Sequence, residues 1–186
     1  MCGSGTILME AAMIARNMPP GINRKIYGFM KWNDYDPILW DRVYNEAKSQ
    51  IIRPRVRIMG SDISSEAIDI SKVASINFNL NPEIRLKRSP FKDLYPTSKT
   101  GLLIMNPPYG ERIEQDDIFA FYKMIGDHLK KNFTGFDAWI LSSNKEALKH
   151  IGLRSSKKHT LFNGPLECKF QKFSLYQGSL EKPAGR

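Results

Sequence analysis

The apolar run Leu102-Leu103-Ile104-Met105 stops at Asn106-Pro107-Pro108-Tyr109, and this stop constrains the fold more than any other stretch. The run predicts a buried strand. Two successive prolines end it, because each fixes its own φ, lacks an N–H and restricts the residue before it. The chain beyond the strand is therefore a stiff loop presenting an amide, a backbone carbonyl and an aromatic ring. The Asn106 side-chain oxygen and the Pro107 carbonyl can both accept from an NH₂ group. The Tyr109 ring can stack on a flat base. Such a set suits an exocyclic amine, a poor nucleophile whose lone pair is delocalised into its ring. Two acceptors can draw that nitrogen towards a pyramidal shape and aim the lone pair.

Three other loops carry fitting chemistry in chain order. The chain opens with Met1-Cys2-Gly3-Ser4-Gly5-Thr6 and an amphipathic stretch from Ile7 to Ala15. Glycines so placed let backbone approach a ligand at a helix N-terminus, where N–H groups point outward. The segment Ile58 to Ser61 predicts a strand ending at Asp62, with Ile63 and Ser64 next. An acid at the carboxyl end of a strand can hold ribose hydroxyls. Asp93, in Pro90-Phe91-Lys92-Asp93-Leu94, lies just past a further strand.

Strands and helices alternate along the chain. After the first helix, Asn17-Met18-Pro19-Pro20-Gly21 is a break. Residues 23–34 read as irregular, with Phe29 and Trp32 as packing anchors. Asp36-Pro37 reads as an N-cap with proline at the first helical position, opening a helix to about Gln50. Its apolar stripe includes Leu39, Trp40, Val43 and Ala47. This stretch exceeds what a minimal βαβ unit needs, so it is an insertion that covers one edge of the site or touches RNA. Further strands are expected at 56–61, 84–87, 102–105 and 138–141, and helices at 65–78, 116–132 and 145–151. Two final strands, 157–162 and 167–176, are joined through Asn163-Gly164-Pro165, a hairpin signal. Alternating units closed by an antiparallel pair indicate an α/β sheet with a reversed edge. Residues 181–186 read as a loose tail.

Taken together, Met-Cys-Gly-Ser-Gly-Thr, Gly60-Ser61-Asp62-Ile63, Asn106-Pro107-Pro108-Tyr109-Gly110-Glu111-Arg112 and Phe162-Asn163-Gly164-Pro165-Leu166-Glu167-Cys168 resemble the THUMP-associated RNA methyltransferases. The likeness is greatest to the bacterial 23S rRNA guanine-N2 enzymes and runs from Met1 to about Tyr176. It implies a class I, Rossmann-like methyltransferase sheet over residues 1–180, with a C-terminal antiparallel hairpin. The family's first motif normally has Asp-Pro and a strand ahead of these residues. The expectation is thus a sheet whose first central strand is missing from this chain, in a fragment that lacks its N-terminal THUMP region.

The resemblance implies S-adenosylmethionine as cofactor. Cys2, Gly3, Ser4, Gly5 and Thr6 would lie against its methionine part, Asp62 and Ile63 at the ribose, and Asp93 at the adenine amine. Asn106, Pro107, Pro108 and Tyr109 would form the catalytic loop, with Asn106 also near the cofactor and Tyr109 on a flipped-out base. No dedicated base is needed, since the proton leaves after transfer. Glu111 and Arg112 would support the loop through an ion pair. Two rival readings are an adenine-N6 methyltransferase of DNA or RNA and an inactive RNA-binding fragment.

Composition narrows the setting. Twenty-eight Lys and Arg against nineteen Asp and Glu give a net charge of +9, which suits phosphate contacts; the resemblance implies that the partner is RNA, 23S rRNA. Basic residues cluster at 53–57, 85–92 and 145–158. No apolar run nears the roughly 20 residues that cross a membrane. The two cysteines, Cys2 and Cys168, show no metal spacing, and a reduced cytoplasmic setting is expected. His128, His150 and His159 show no metal spacing either and read as surface or phosphate-neighbouring residues.

Overall fold

The computed structural model describes residues 1–110 and 115–176. They form two compact units, residues 2–88 and residues 89–176 together with Met1.

The first unit opens with helix α1 (Thr6–Ala15) and continues through helix α2 (Pro37–Ser49), strand β1 (Ile58–Asp62), helix α3 (Ser65–Asn77) and strand β2 (Ile84–Arg88). β1 and β2 pair in parallel, Ile58 opposite Ile84 through Asp62 opposite Arg88. Leu8, Met9, Ala12 and Met13 of α1 pack with Leu80 and Ile84. Gly60 admits the Leu8 side chain: an added Cβ would lie 2.3 Å from Leu8 Cδ1. Arg16, just past α1, donates to Glu83 at 2.6 Å, with side-chain exposures of only 13% and 8%. This pair ties the end of α1 to the start of β2.

The insertion departs from expectation. Asp36 caps α2 as predicted, its carboxylate accepting from Ile38 N and Leu39 N. No residue of α2 is buried, however, and Leu39 and Val43 remain about half exposed. Trp32 is 67% exposed and is not the anchor that its type suggests. The insertion is held by ring-on-ring contact: Phe29 meets Tyr27, Trp32, Tyr35 and Trp40 at centroid distances of 5.0 to 6.4 Å.

The second unit carries strand β3 (Gly101–Met105), helix α4 (Gln115–Asn132), strand β4 (Phe136–Ser142), helix α5 (Lys145–Lys149) and strands β5 (Lys157–Asn163) and β6 (Leu166–Ser174). The strand order is β3-β4-β6-β5. β3 and β4 are parallel, whereas β6 runs antiparallel to both β4 and β5. The reversed edge is the one expected. The β5–β6 turn has Gly164 at φ 60 followed by Pro165, a pairing that selects a type II′ hairpin, since proline cannot take positive φ.

Ile118, Tyr122, Ile125 and Leu129 of α4 form the core with Met105, Ala138, Ile140 and Phe173. Helices cover one face of this sheet. β3 is therefore buried on one side only: Met105 is enclosed, while Leu102 is 62% and Ile104 40% exposed. That corrects the expectation of a fully buried strand. His128 is likewise half-buried, its ring against Phe91, Tyr95 and Phe133 and its Nε2 at 2.7 Å from the Leu94 carbonyl. The sequence predicts one sheet short of a central strand. Among the described residues the strands form two sheets, and β1 and β3 are not partners.

Candidate functional site

In the first unit, the glycine loop folds onto the end of β1. Cys2 N donates to Ser61 O and Gly3 N to Asp62 Oδ2, both at 2.9 Å. Gly5 N closes back on Cys2 O at 2.9 Å, and Ser71 Oγ of α3 holds Gly3 O at 2.9 Å. Gly3 and Gly5 take φ of 54 and 83, a region that costs L-residues roughly 1–2 kcal/mol. At Gly5 an added Cβ would also lie 2.7 Å from Ser71 Oγ, whereas at Gly3 it would meet nothing within 4 Å. The loop thus has a packed side at Gly5 and an open side at Gly3.

Asp62 is the hinge of this arrangement. One carboxylate oxygen accepts from Gly3 N, and the other from Ser64 N at 3.0 Å. Burial pushes its pKa up, but the N–H groups of Ser64, Gly3 and Ile63 outweigh this and hold it below the ordinary value. Ile63 beside Asp62 is 67% exposed, and its carbonyl accepts from Arg88 Nε at 3.1 Å. Cys2 is a poor nucleophile here: burial raises its thiol pKa.

In the second unit, Asn106 stands exposed at the carboxyl end of β3, followed by buried Pro107. A relay fixes the rest of the loop. Asn144 N donates to Ser142 Oγ at 3.1 Å, Ser142 Oγ meets Tyr122 Oη at 2.7 Å, and Tyr122 Oη donates to Pro108 O at 3.2 Å. The Asn144 side chain adds a second tie, Nδ2 to Tyr109 O at 2.9 Å, while its Oδ1 caps α5 by accepting from Ala147 N at 2.8 Å. Burial raises the Tyr122 pKa to about 12, which keeps its donor proton in place.

Two carbonyls are thereby occupied, those of Pro108 and Tyr109. Among the described residues no tie of this kind holds the Pro107 carbonyl, whereas the Asn106 amide lies against the Tyr109 hydroxyl. The Tyr109 ring is steadied from the hairpin: Cys168 Sγ lies 3.8 Å from its hydroxyl. Burial and then Cys168 raise the Tyr109 pKa, against the Asn163 and Asn106 amides, which lower it. Tyr109 and Cys168 stand 59 residues apart in sequence, so the Asn-Pro-Pro-Tyr and Asn-Gly-Pro-Leu-Glu-Cys segments meet at this ring.

Each half of the expected site thus forms separately. Cys2 to Thr6 assemble with Asp62 and Ile63, and Asn106 to Tyr109 form the second group. Asp93 ends a 3₁₀ turn, Phe91–Asp93, with its N–H bonded to Pro90 O at 3.1 Å and its side chain exposed. Among the described residues no hydrogen bond joins its side chain to the Asn106 loop. Glu111 and Arg112 lie outside the described residues. Sequence reasoning missed Tyr122, Ser142 and Asn144. The Ser-Ser-Asn that ends β4 was their one available signal. A surface cavity of about 750 Å³ lined by Lys92, Tyr95, Lys123 and His128 shares no residue with the loop groups.

Ribosomal RNA large subunit methyltransferase K/L of Shewanella baltica is 34% identical over 186 residues, covering 97% of this chain and 26% of that protein. A Synechocystis sp. protein named as an RNA methyltransferase is 38% identical over 178 residues, covering 95% of this chain and 46% of its own. The crystal structure of SMU.472 complexed with SAH superposes with a TM-score of 0.88 at 30% identity, covering 96% of this chain and 48% of that one. The chain spans only about a quarter to a half of these relatives. The family model described as RMKL-like, methyltransferase domain matches residues 1–172, and the chain belongs to that family.

Proposed function

We propose that this domain methylates the exocyclic amine of an RNA base, guanine N2 in 23S rRNA, using S-adenosylmethionine. The observation that carries the reading is the Asn106-Pro107 pair: an exposed amide set against the Tyr109 hydroxyl, and the carbonyl next to it, on a loop whose following two carbonyls are held by Tyr122 and Asn144. Acceptors so fixed can orient an amine without reorganising during transfer.

The residues present fit the cofactor. Gly3 offers an open backbone surface, and Asp62 is an ionised acceptor beside exposed Ile63. Gly3 to Gly5 would bear the methionine part, Asp62 the ribose hydroxyls and Asp93 the adenine amine. The cofactor supplies a methyl group on a positively charged sulfur, already activated for displacement. Asn106 Oδ1 and Pro107 O would each accept from one N–H of the target amine, turning its lone pair towards that methyl carbon. Transfer would form the N–C bond as the C–S bond breaks, and the nitrogen proton would then pass to water. Tyr109 would stack on the base. Its hydroxyl, held by Cys168, restricts the ring to that task.

The test is direct. The protein is incubated with S-adenosylmethionine carrying a labelled methyl group and a 23S rRNA transcript, and the RNA is digested to nucleosides. Label in N2-methylguanosine is expected. Label in N6-methyladenosine would replace the guanine assignment with the adenine one, and no binding of S-adenosylhomocysteine by calorimetry would end the enzyme reading.

A further inference from the structure

The segment between α1 and β1, residues 18–57, plays no part in the chemistry above. α1 starts at the glycine loop and runs to Arg16, which is clipped to Glu83 at the opening of β2. Ile52 N donates to Arg16 O at 2.8 Å, and Asn17 Nδ2 to Gln50 O at 3.2 Å. The insertion therefore sits at the end of the unit remote from Asp62, about 15 Å along a ten-residue helix.

Its surface is unusual in two ways. Phe29 is the hub of a ring cluster from which Trp32 projects, 67% exposed and in edge contact at 6.4 Å. Arg24 lies over the Tyr27 ring at 5.6 Å. Beyond α2, Arg53, Arg55 and Arg57 are all exposed and have no ion-pair partner among the described residues. Their spacing of two places them on one side wherever that chain is extended. The segment holds eight Lys and Arg against Asp34, Asp36, Asp41 and Glu46. Of these acids, Asp36 is already committed to capping α2.

We propose that this insertion is a docking surface for single-stranded RNA, with bases stacking on Trp32 and phosphates running along Arg53, Arg55 and Arg57. A projecting ring for stacking and a run of cations for phosphates are what a sequence-tolerant single-strand site uses. Charge complementarity favours RNA over a protein partner. α2 separates the two features by about 20 Å, so a strand engages both only by lying along the helix. The inference rests on RNA being the substrate.

The experiment titrates the protein with a fluorescein-labelled single-stranded oligoribonucleotide and with its duplex, at several salt concentrations. Trp32→Ala should weaken single-strand binding about 5- to 100-fold, and Trp32→Phe should restore most of it. Replacing Arg53, Arg55 and Arg57 by Gln should weaken binding and flatten the salt slope by about 2. S-adenosylhomocysteine binding should be unchanged in every variant, which shows that each is folded. Unchanged single-strand affinity in both variants would overturn the proposal, as would a loss confined to the duplex or a changed oligomeric state in place of an RNA effect. If the unaltered protein binds S-adenosylhomocysteine but not RNA, the surface is refuted and the methyltransferase reading stands. If it binds neither, the reading beneath the proposal fails.

Discussion

Asp62 does two jobs at once, anchoring the glycine loop and offering an anionic acceptor at the end of β1. Its depressed pKa makes the anchoring pH-dependent. Because the folded value is lower than the unfolded one, the stabilisation is complete above the unfolded value, about 3.9, and is lost as pH falls through the folded value. Denaturant melts taken from about pH 5 down to about pH 2 should show this loss in the native protein, and a smaller one in Asp62→Asn. Asn144 is the matching residue in the second unit, since one amide caps α5 and holds Tyr109 O. Asn144→Ala should cost about 1–2 kcal/mol, as a lost cap does. It should also slow methyl transfer, because the loop that carries Asn106 loses a tie. Equal transfer rates in Asn144→Ala and the unaltered protein would show that the loop keeps its shape without that amide.

At the level of elements, α4 and the chain leaving α5 approach closely at Gly126. A Cβ on Gly126 would fall 1.9 Å from the Ile151 carbonyl oxygen. That oxygen is backbone and cannot swing aside, so Gly126→Ala should destabilise by about 1–3 kcal/mol or more, read as a lower denaturation midpoint. The Arg16–Glu83 pair is the comparable link in the first unit. Replacing Glu83 by Gln strands a buried guanidinium and should cost about 3–5 kcal/mol. Elements of this kind were largely legible in advance. The capped start of α2, the strand stopped by Pro107 and the hairpin at Gly164-Pro165 all arise from local chemistry. What was not legible depended on partners far along the chain. Leu102 and Ile104 look like core residues until it is known that α4 and α5 cover one sheet face alone. Trp32 looks like an anchor until Phe29 takes the central place. The position of Asp62 and Asn106 at strand ends, where ligands meet an α/β sheet, could be read in advance. Tyr122, Ser142 and Asn144 could not, because their role is a relay assembled from α4 and the end of β4.

For the molecule as a whole, the net charge of +9 would set how it meets the proposed RNA substrate. Affinity for any RNA should fall steeply with salt, since phosphate contacts release counterions. Discrimination between bases should come from the Asn106 loop, which salt screens little. The two dependences should therefore separate: raising salt lowers binding while leaving the preference for the target base intact. The sharpest check on amine orientation by this loop is the single-turnover rate of methyl transfer to saturating RNA, compared between the unaltered protein and Asn106→Ala. Asn106 is exposed, so the variant should fold normally. If the loop aims the amine, the variant's rate should be about 100-fold or more lower, with a much smaller change in RNA affinity. A transfer rate unchanged in Asn106→Ala would contradict that role.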